Sequence, residues 1–548
     1  MRYLGPIISI LICVSCLSPE QRVINQAGTN GGELQKVLDH FKNDSIKEKY
    51  EAAKFLIRNI GGHFAYDTSR FHEYKLFLDT ANYLHGTYRG NNIDSVLISE
   101  WKKHKARHRR GKDRNQVFYD YKFLTADFLI KDIDLAYSAW KENPYGSKVT
   151  FNEFKEYILP YRVTTGKSLE SWRSYFYERE KDHFSKYYPD SLISACDKLL
   201  SHYKYFKHNY NSVQEISLLR YHDFEQLKRG SCQDRCWYNM MLFRSLGVAC
   251  ATDFVPHWGN RNRNHSWNVI IQHGASYAFE PFWDEERWKY KILYNNRSWD
   301  RKWGKFRLPK VYRYTYSDHI IGPLQDKRVR KNNIPHLFRN RKLLDVSTEY
   351  FNTTNVNIKL FDTLPDATFY CYLCVWGNRR WHPVQYGKII NNKASFIDMG
   401  RDIVYLPCIC KDGKLLPASN PFLLDEYGCV KELTASIHKR SIVVSKVLPQ
   451  EPQLGDGIRL LKGSRFEIAN DSSFNKRTII YNIPDTMLYE NNFIHLKRSA
   501  YGRYVRLLFS CSNKEIGLSN LEFYKKDSEG KLIRLEGSII KSNNIHDG

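Results

Sequence analysis

The chain of 548 residues is too long for one hydrophobic core, so several domains are expected. Its 84 Lys and Arg against 59 Asp and Glu leave a formal charge of +25, which attracts any polyanion. No Gly-rich phosphate loop is present, and after the first sixteen residues no segment is apolar and long enough to span a bilayer.

Arg2, an apolar run from Ile7 to Val14 and then Ser15-Cys16 read as a secretory signal, residues 1–16. Val14-Ser15-Cys16 resembles a bacterial lipobox, which implies that Cys16 is lipidated as the first mature residue. Ordinary cleavage nearby, or a plain core segment, is the alternative. Export disfavours nucleic acid as a partner for the basic charge. Anionic glycans or headgroups remain conceivable, and a solvated basic face is the ordinary reading. Residues 17–32, rich in Gln, Asn and Gly with Ser18, are expected as a short tether to the membrane. The location implied is the bacterial cell envelope, by lipid anchor in the outer membrane, with the facing left open.

Residues 33–180 read as mostly helical. Ser45-x-x-Glu48 predicts a capping box, with Ile46, Tyr50, Ala53, Ile57 and Ile60 on one face and Gly61-Gly62 at the end. The densest basic block runs from Lys102 to Arg114. Leu159-Pro160-Tyr161-Arg162 interrupts the helical pattern before Trp172. It resembles a segment of some bacterial transglutaminase-like lipoproteins, but a Pro-terminated helix with a packed Tyr explains it without chemistry.

The segment 181–335 carries the candidate chemistry. Gly230-Ser231-Cys232 opens a run whose apolar residues, Cys236 to Leu246, recur at helical spacing until Gly247. At a helix start, unpaired N–H groups and the helix dipole stabilise a thiolate. His265 begins a strand-like run that turns at His273-Gly274 and returns through Tyr277 to Glu280. With those two residues as the turn, Gln272 pairs with Ala275, His265 falls opposite Phe282, and Glu280 is its diagonal neighbour. A four-residue loop would instead bring Asp284 opposite His265. A cysteine, a histidine and a carboxylate in this order supply a nucleophile, a base and a group that orients the base. Gln226, six residues before Cys232, has the spacing of the papain-type oxyanion glutamine, although a solvated surface role suits it better.

Taken together, Gly-Ser-Cys-x-Asp, Leu246-Gly247-Val248, His-x-Trp and Glu-Pro resemble the transglutaminase-like superfamily over about residues 190–300. The resemblance implies a papain-like triad of Cys232, His265 and Glu280, with Glu where the family more often has Asp. It also implies acyl transfer through a Cys232 thioester, from a peptide or a glycoprotein and with no cofactor. Hydrolysis is favoured over crosslinking because no amine-acceptor site is visible. Trp237, Trp258, Trp267, Trp283 and Trp288 make an aromatic surround that suits either kind of substrate. A catalytically inactive glycan- or surface-binding lipoprotein is the competing reading.

After a second basic stretch, Asp326 to Lys342, short alternating strands predict one β-sandwich over 343–435 and another over 445–548. Cys371-x-x-Cys374 and Cys408-x-Cys410 could together make a four-thiolate zinc site. Their apolar strand-like context favours buried free thiols, and no metal is assigned. The segments Gly457–Glu467, Tyr504–Phe509 and Ile516–Tyr524 resemble the galactose-binding-like (discoidin, F5/8 type C) sandwich, which implies a glycan- or surface-binding accessory. The fold class expected is multidomain α+β. It has an N-terminal helical region, a transglutaminase-like papain-type α+β core and two C-terminal β-sandwiches.

Overall fold

A computed structural model describes residues 17–67, 71–90, 93–107, 116–208, 220–283, 287–289, 306–319, 322–365, 367–434, 461–484, 493–496, 498–510 and 521–538. These fall into two compact units, 17–434 and 461–538. The chain is a multidomain mixture of helix and sheet, with helices toward the N-terminus and antiparallel sheets toward the C-terminus. Cys16 and Asp284 lie outside the described residues. Among the described residues no helix is long and apolar enough to cross a membrane.

Helix formation begins earlier than the sequence suggests. Residues 17–32, expected as a flexible tether, carry helix α1 (Pro19–Ala27), a turn of 3-10 helix and the start of α2 (Gly31–Lys42). Ser18 caps α1 by accepting from the Gln21 N–H at 3.1 Å, and Pro19 fits the first turn, where no N–H is needed. Ile24 and Ala27 then bury against the helices that follow, and Glu20 pairs with Arg58 at 2.9 Å. Apolar burial thus overrides the polar composition that suggested a tether.

Helix α3 (Lys47–Asn59) buries the expected face, including Ala53 and Ile57, but Ser45 does not cap it. Ile46 occupies the cap position, and the Asp44 carboxylate accepts from the Ile46 N–H at 2.8 Å. Glu48 is drawn off to α6 (Ala126–Glu142), where Tyr137 Oη donates to it at 2.5 Å and Lys141 pairs with it at 2.9 Å. Between α3 and α6 lie β1 (Phe64–Tyr66), α4 (Phe71–Thr87), α5 (Ile93–Arg107) and β2 (Val117–Tyr119). After α6 come α7 (Phe151–Tyr157), α8 (Trp172–Ser185), α9 (Leu192–Ser201), strand β3 (Lys207–His208), α10 (Tyr221–Leu227) and β4 (Arg229–Gly230). The Leu159–Arg162 break is structural. Tyr161 Oη donates to Asp120 at 2.8 Å, and Arg162 makes a buried ion pair with the same carboxylate.

Helix α11 (Cys232–Ser245) is buried on nearly every side. One flank meets an aromatic cluster with α8 and α9. Another lies on a five-stranded antiparallel sheet ordered β7-β6-β5-β8-β9. Its strands are β5 (Cys250–Val255), β6 (His265–Gln272), β7 (Ala275–Phe279), β8 (Tyr312–Tyr314) and β9 (Leu343–Asp345). Gly247, at φ +72°, ends the helix against the backbone of Ala139, where a Cβ would lie 2.1 Å from the carbonyl oxygen. The 326–342 stretch, read as a solvated basic face, includes a buried lysine. Lys342 Nζ donates to the carbonyls of Asn59 and Tyr316 at 2.9 and 2.8 Å and pairs with Asp318, tying three distant segments together.

Beyond residue 350 an eight-stranded antiparallel arrangement forms sandwich-like sheets, its strands including β10 (Thr354–Lys359), β13 (Lys393–Met399), β15 (Lys414–Pro417), β16 (Phe422–Leu424) and β17 (Val430–Glu432). Its strand β11 (Tyr370–Gly377) pairs with both β12 (Arg380–Ile390) and β14 (Ile403–Lys411). Both faces of β11 are covered, which explains its unbroken apolar run. Cys371, Leu373 and Val375 join the sandwich interior, whereas Tyr372 and Cys374 join a second cluster with Phe338 and Cys408. The four cysteines are therefore divided between two faces, and burial pushes the Cys371 and Cys374 thiols up. Among the described residues no group of three or more Cys, His, Asp or Glu is placed to hold a metal ion.

The second unit, taken by itself, has a three-stranded antiparallel sheet with β18 (Arg465–Ala469) between β19 (Arg477–Asn482) and β20 (Tyr504–Leu508). A hairpin of β21 (Tyr524–Lys526) and β22 (Leu532–Arg534) follows. Glu467 is fully buried among Arg465, Arg477 and Arg506. The expected strand over 516–520 lies outside the described residues.

Candidate active site

Cys232 is the first residue of α11, and its placement starts with Ser231. The Ser231 Oγ accepts from the Asp234 N–H at 3.2 Å, while the Asp234 carboxylate accepts from the Ser231 N–H at 3.0 Å. This reciprocal cap fixes the first turn and leaves the positive end of the helix at the thiol. Gly230 is needed for close approach, since a Cβ there would lie 2.4 Å from the Phe224 ring.

His265 opens β6. The hairpin turns at His273-Gly274 with Gln272 opposite Ala275, the register expected from the sequence, and ladder pairing ends at Asn268 opposite Phe279. Glu280 follows directly, and its Oε2 lies 3.1 Å from His265 Nε2. With Nε2 taken by the carboxylate, Nδ1 is the ring nitrogen for the thiol. Trp258 and Trp267 flank the imidazole, with centroids 6.4 and 6.1 Å away. The other three tryptophans do other things. Trp237 lies under Lys167, Trp283 is stacked by Arg287, and Trp288 donates to Asp197.

The electrostatics separate this cysteine from the rest. Burial raises the Cys232 thiol, but the charge of His265 outweighs it, with hydrogen bonds from His208, His265 and the Ser266 backbone, and the thiol falls to about 6. Burial likewise disfavours a charged His265, but the Glu280 and Cys232 charges outweigh it and lift the imidazole to about 10. Between those values the site holds a thiolate–imidazolium pair. One helical turn on, burial pushes the Cys236 thiol well above its ordinary value. Only a charge partner reverses the effect of burial.

A set of buried amides and one guanidinium holds the carboxylate side. Asn239 Nδ2 donates to Asn268 Oδ1 at 2.9 Å and to the Pro281 carbonyl at 3.1 Å. Arg235 Nε donates to the same carbonyl at 3.1 Å, and Asn268 Nδ2 donates to the Cys236 carbonyl at 3.0 Å. The residue after Glu280 is thereby pinned to the helix that carries Cys232. The sequence reading missed Arg235, Asn239 and Asn268. Their only sequence signal is that Arg235 and Asn239 are polar at helical spacing inside an otherwise buried helix.

Gln226 Nε2 donates to Asp79 Oδ1 at 3.2 Å, so its amide is engaged by α4. A second side chain that lowers the thiol is His208, for which the sequence offered no signal. Asp284, the alternative third member, lies outside the described residues. No protein family, no curated protein and no solved structure matches the chain.

Proposed function

We propose that this protein is an exported thiol enzyme with a transglutaminase-like core. It hydrolyses or transfers an amide bond of a peptide or glycoprotein through a Cys232 thioester. One observation carries the reading: a thiol lowered to about 6, at a helix start, against an imidazole raised to about 10 and held by a carboxylate at 3.1 Å. A nucleophile helix packed on an antiparallel sheet that carries the base and its carboxylate also supports a papain-type core.

In the reaction the Cys232 sulfur forms a bond to the carbonyl carbon, and the C=O π pair moves onto oxygen. Collapse breaks the C–N bond, and the amine leaves with the proton that His265 carried. Neutral His265 then takes a proton from water as its oxygen attacks the thioester, which releases the acid and regenerates the thiolate. Glu280 keeps the imidazolium favourable throughout. Hydrolysis is preferred to crosslinking because the sequence shows no recognisable amine-acceptor site. The C-terminal unit would serve as a galactose-binding-like accessory, for which its antiparallel sheets are the support.

The test is a panel of peptides and N-glycopeptides incubated in heavy-oxygen water and read by mass spectrometry. New amine and labelled carboxyl are expected from wild type and not from Cys232→Ala. Equal product from both, or none from either, would overturn the enzyme reading, and the second result would favour a binding protein.

Lipidation at Cys16 is part of the proposal, and it is motivated by the Val-Ser-Cys sequence. Cys16→Ala is expected to move the protein from the membrane to the soluble fraction. Retention on membranes after a high-salt wash would show that no lipid on Cys16 holds it there.

A further inference from the structure

Two imidazoles act on the Cys232 thiol, and only one of them is needed as a base. His265 carries the carboxylate and takes that role. His208 hydrogen-bonds the same thiol from a separate element. Its position is set by a short parallel pairing of β3 with β4, in which Lys207 lies opposite Arg229 and His208 opposite Gly230. That pairing ties His208 to the residue two before the nucleophile.

Packing on either side fixes the ring. Phe206, two residues earlier, is buried and stacks on Phe224 at 4.7 Å, and the Arg235 guanidinium lies 4.8 Å from its ring. The His208 ring itself meets Phe282 edge-on, with centroids 5.2 Å apart. Phe282 is two residues after Glu280, so the same short segment supports the carboxylate and the second histidine.

When the sulfur bonds to a carbonyl carbon, the new oxyanion is only one bond further away than that carbon. A donor held beside the nucleophile, as His208 is by its pairing with Gly230 and its contact with Phe282, is placed to meet this oxygen. The Cys232 backbone N–H, at the first position of a helix and without an intrahelical acceptor, supplies one donor. A papain-type site would take the second from a glutamine, and here Gln226 is engaged by Asp79. We propose that His208 is the second oxyanion donor, its ring N–H replacing the amide of that glutamine. No electron or proton is transferred through it. It donates a hydrogen bond that strengthens as charge develops on oxygen.

This inference rests on the thiol acyl-transfer reading, and the experiment keeps the two apart. Wild type, His208→Ala, His208→Gln, His208→Phe and Cys232→Ala are each acylated with p-nitrophenyl acetate and, separately, alkylated with iodoacetamide. Acylation passes through an oxyanion, and displacement at iodoacetamide does not. Loss of the donor in His208→Ala is expected to slow acylation about 10²–10³-fold, with a much smaller fall in alkylation. His208→Gln is expected to recover much of the acylation because its amide can donate, and His208→Phe to recover none. Retained alkylation also shows that the variants still fold around the thiol. Unchanged acylation in His208→Ala, equal losses of acylation and alkylation, or glutamine no better than phenylalanine would each overturn the assignment. Wild type acylated no faster than Cys232→Ala would overturn the thiol reading itself, and this inference with it.

Discussion

Replacing His265 with alanine is expected to raise the pH midpoint of Cys232 alkylation from about 6 to the ordinary thiol range or above, and to abolish measurable turnover. Without the imidazolium, burial is left as the dominant influence on the thiol, and burial raises it. A rise from about 6 to about 8.5 lowers the thiolate fraction at neutral pH roughly 30-fold. Loss of the proton acceptor and donor removes about another 10²–10⁴-fold. The two effects have separate signatures: the first is recovered at high pH and the second is not. Glu280→Gln is expected to fall between wild type and His265→Ala, since the ring remains but its carboxylate charge is gone. A pH–rate profile of alkylation and turnover for the three proteins checks this. Alkylation of His265→Ala with a midpoint still near 6 would mean that the helix terminus or His208 lowers the thiol instead.

Arg313→Met is expected to cost about 3–5 kcal/mol of stability, the scale for stripping one partner from a buried ion pair. Arg313 on β8 meets both oxygens of Asp253 on β5, at 2.7 and 2.9 Å, and Glu349 at 2.9 Å. Both side chains of the pair are almost fully enclosed, so no water can replace the guanidinium. Tyr350 Oη donates to Asp253 at 2.7 Å and accepts from Trp267 Nε1 at 2.7 Å, which extends the network to the neighbour of His265's own flank. Asp253→Asn should cost less, because an amide oxygen can still accept from Arg313 and Tyr350. Urea unfolding compares the midpoints. A loss under about 1 kcal/mol for Arg313→Met would place the pair among solvent-screened ones and contradict its burial.

What could be read from the sequence follows from how local each signal is. The helix start at Cys232, the Gly247 stop and the His273-Gly274 turn are written in a few adjacent residues, and each falls where expected. The turn then fixes register, and register alone carries Glu280 to His265 across fifteen residues. His208 was illegible because a two-residue parallel pairing brings it to the site, too short for any periodicity to mark. The partner of Gln226 was equally illegible, because a sequence offset says nothing about Asp79, which lies 147 positions away and takes the amide. The 17–32 stretch misled, since two apolar residues and a serine cap outweighed a polar composition. Arg235, Asn239 and Asn268 look like polar intrusions in buried elements, and only the folded chain shows that they meet one carbonyl and one another.

The most direct measurement is the pH dependence of iodoacetamide alkylation on the intact protein, with each modified cysteine located by mass spectrometry. Labelling below pH 7 is expected on Cys232, rising through a midpoint near 6, while the buried Cys236 and Cys250 stay unmodified. A Cys232 midpoint at the ordinary thiol value of about 8.5, or labelling at Cys236 as fast as at Cys232, would contradict an activated thiol–imidazole pair.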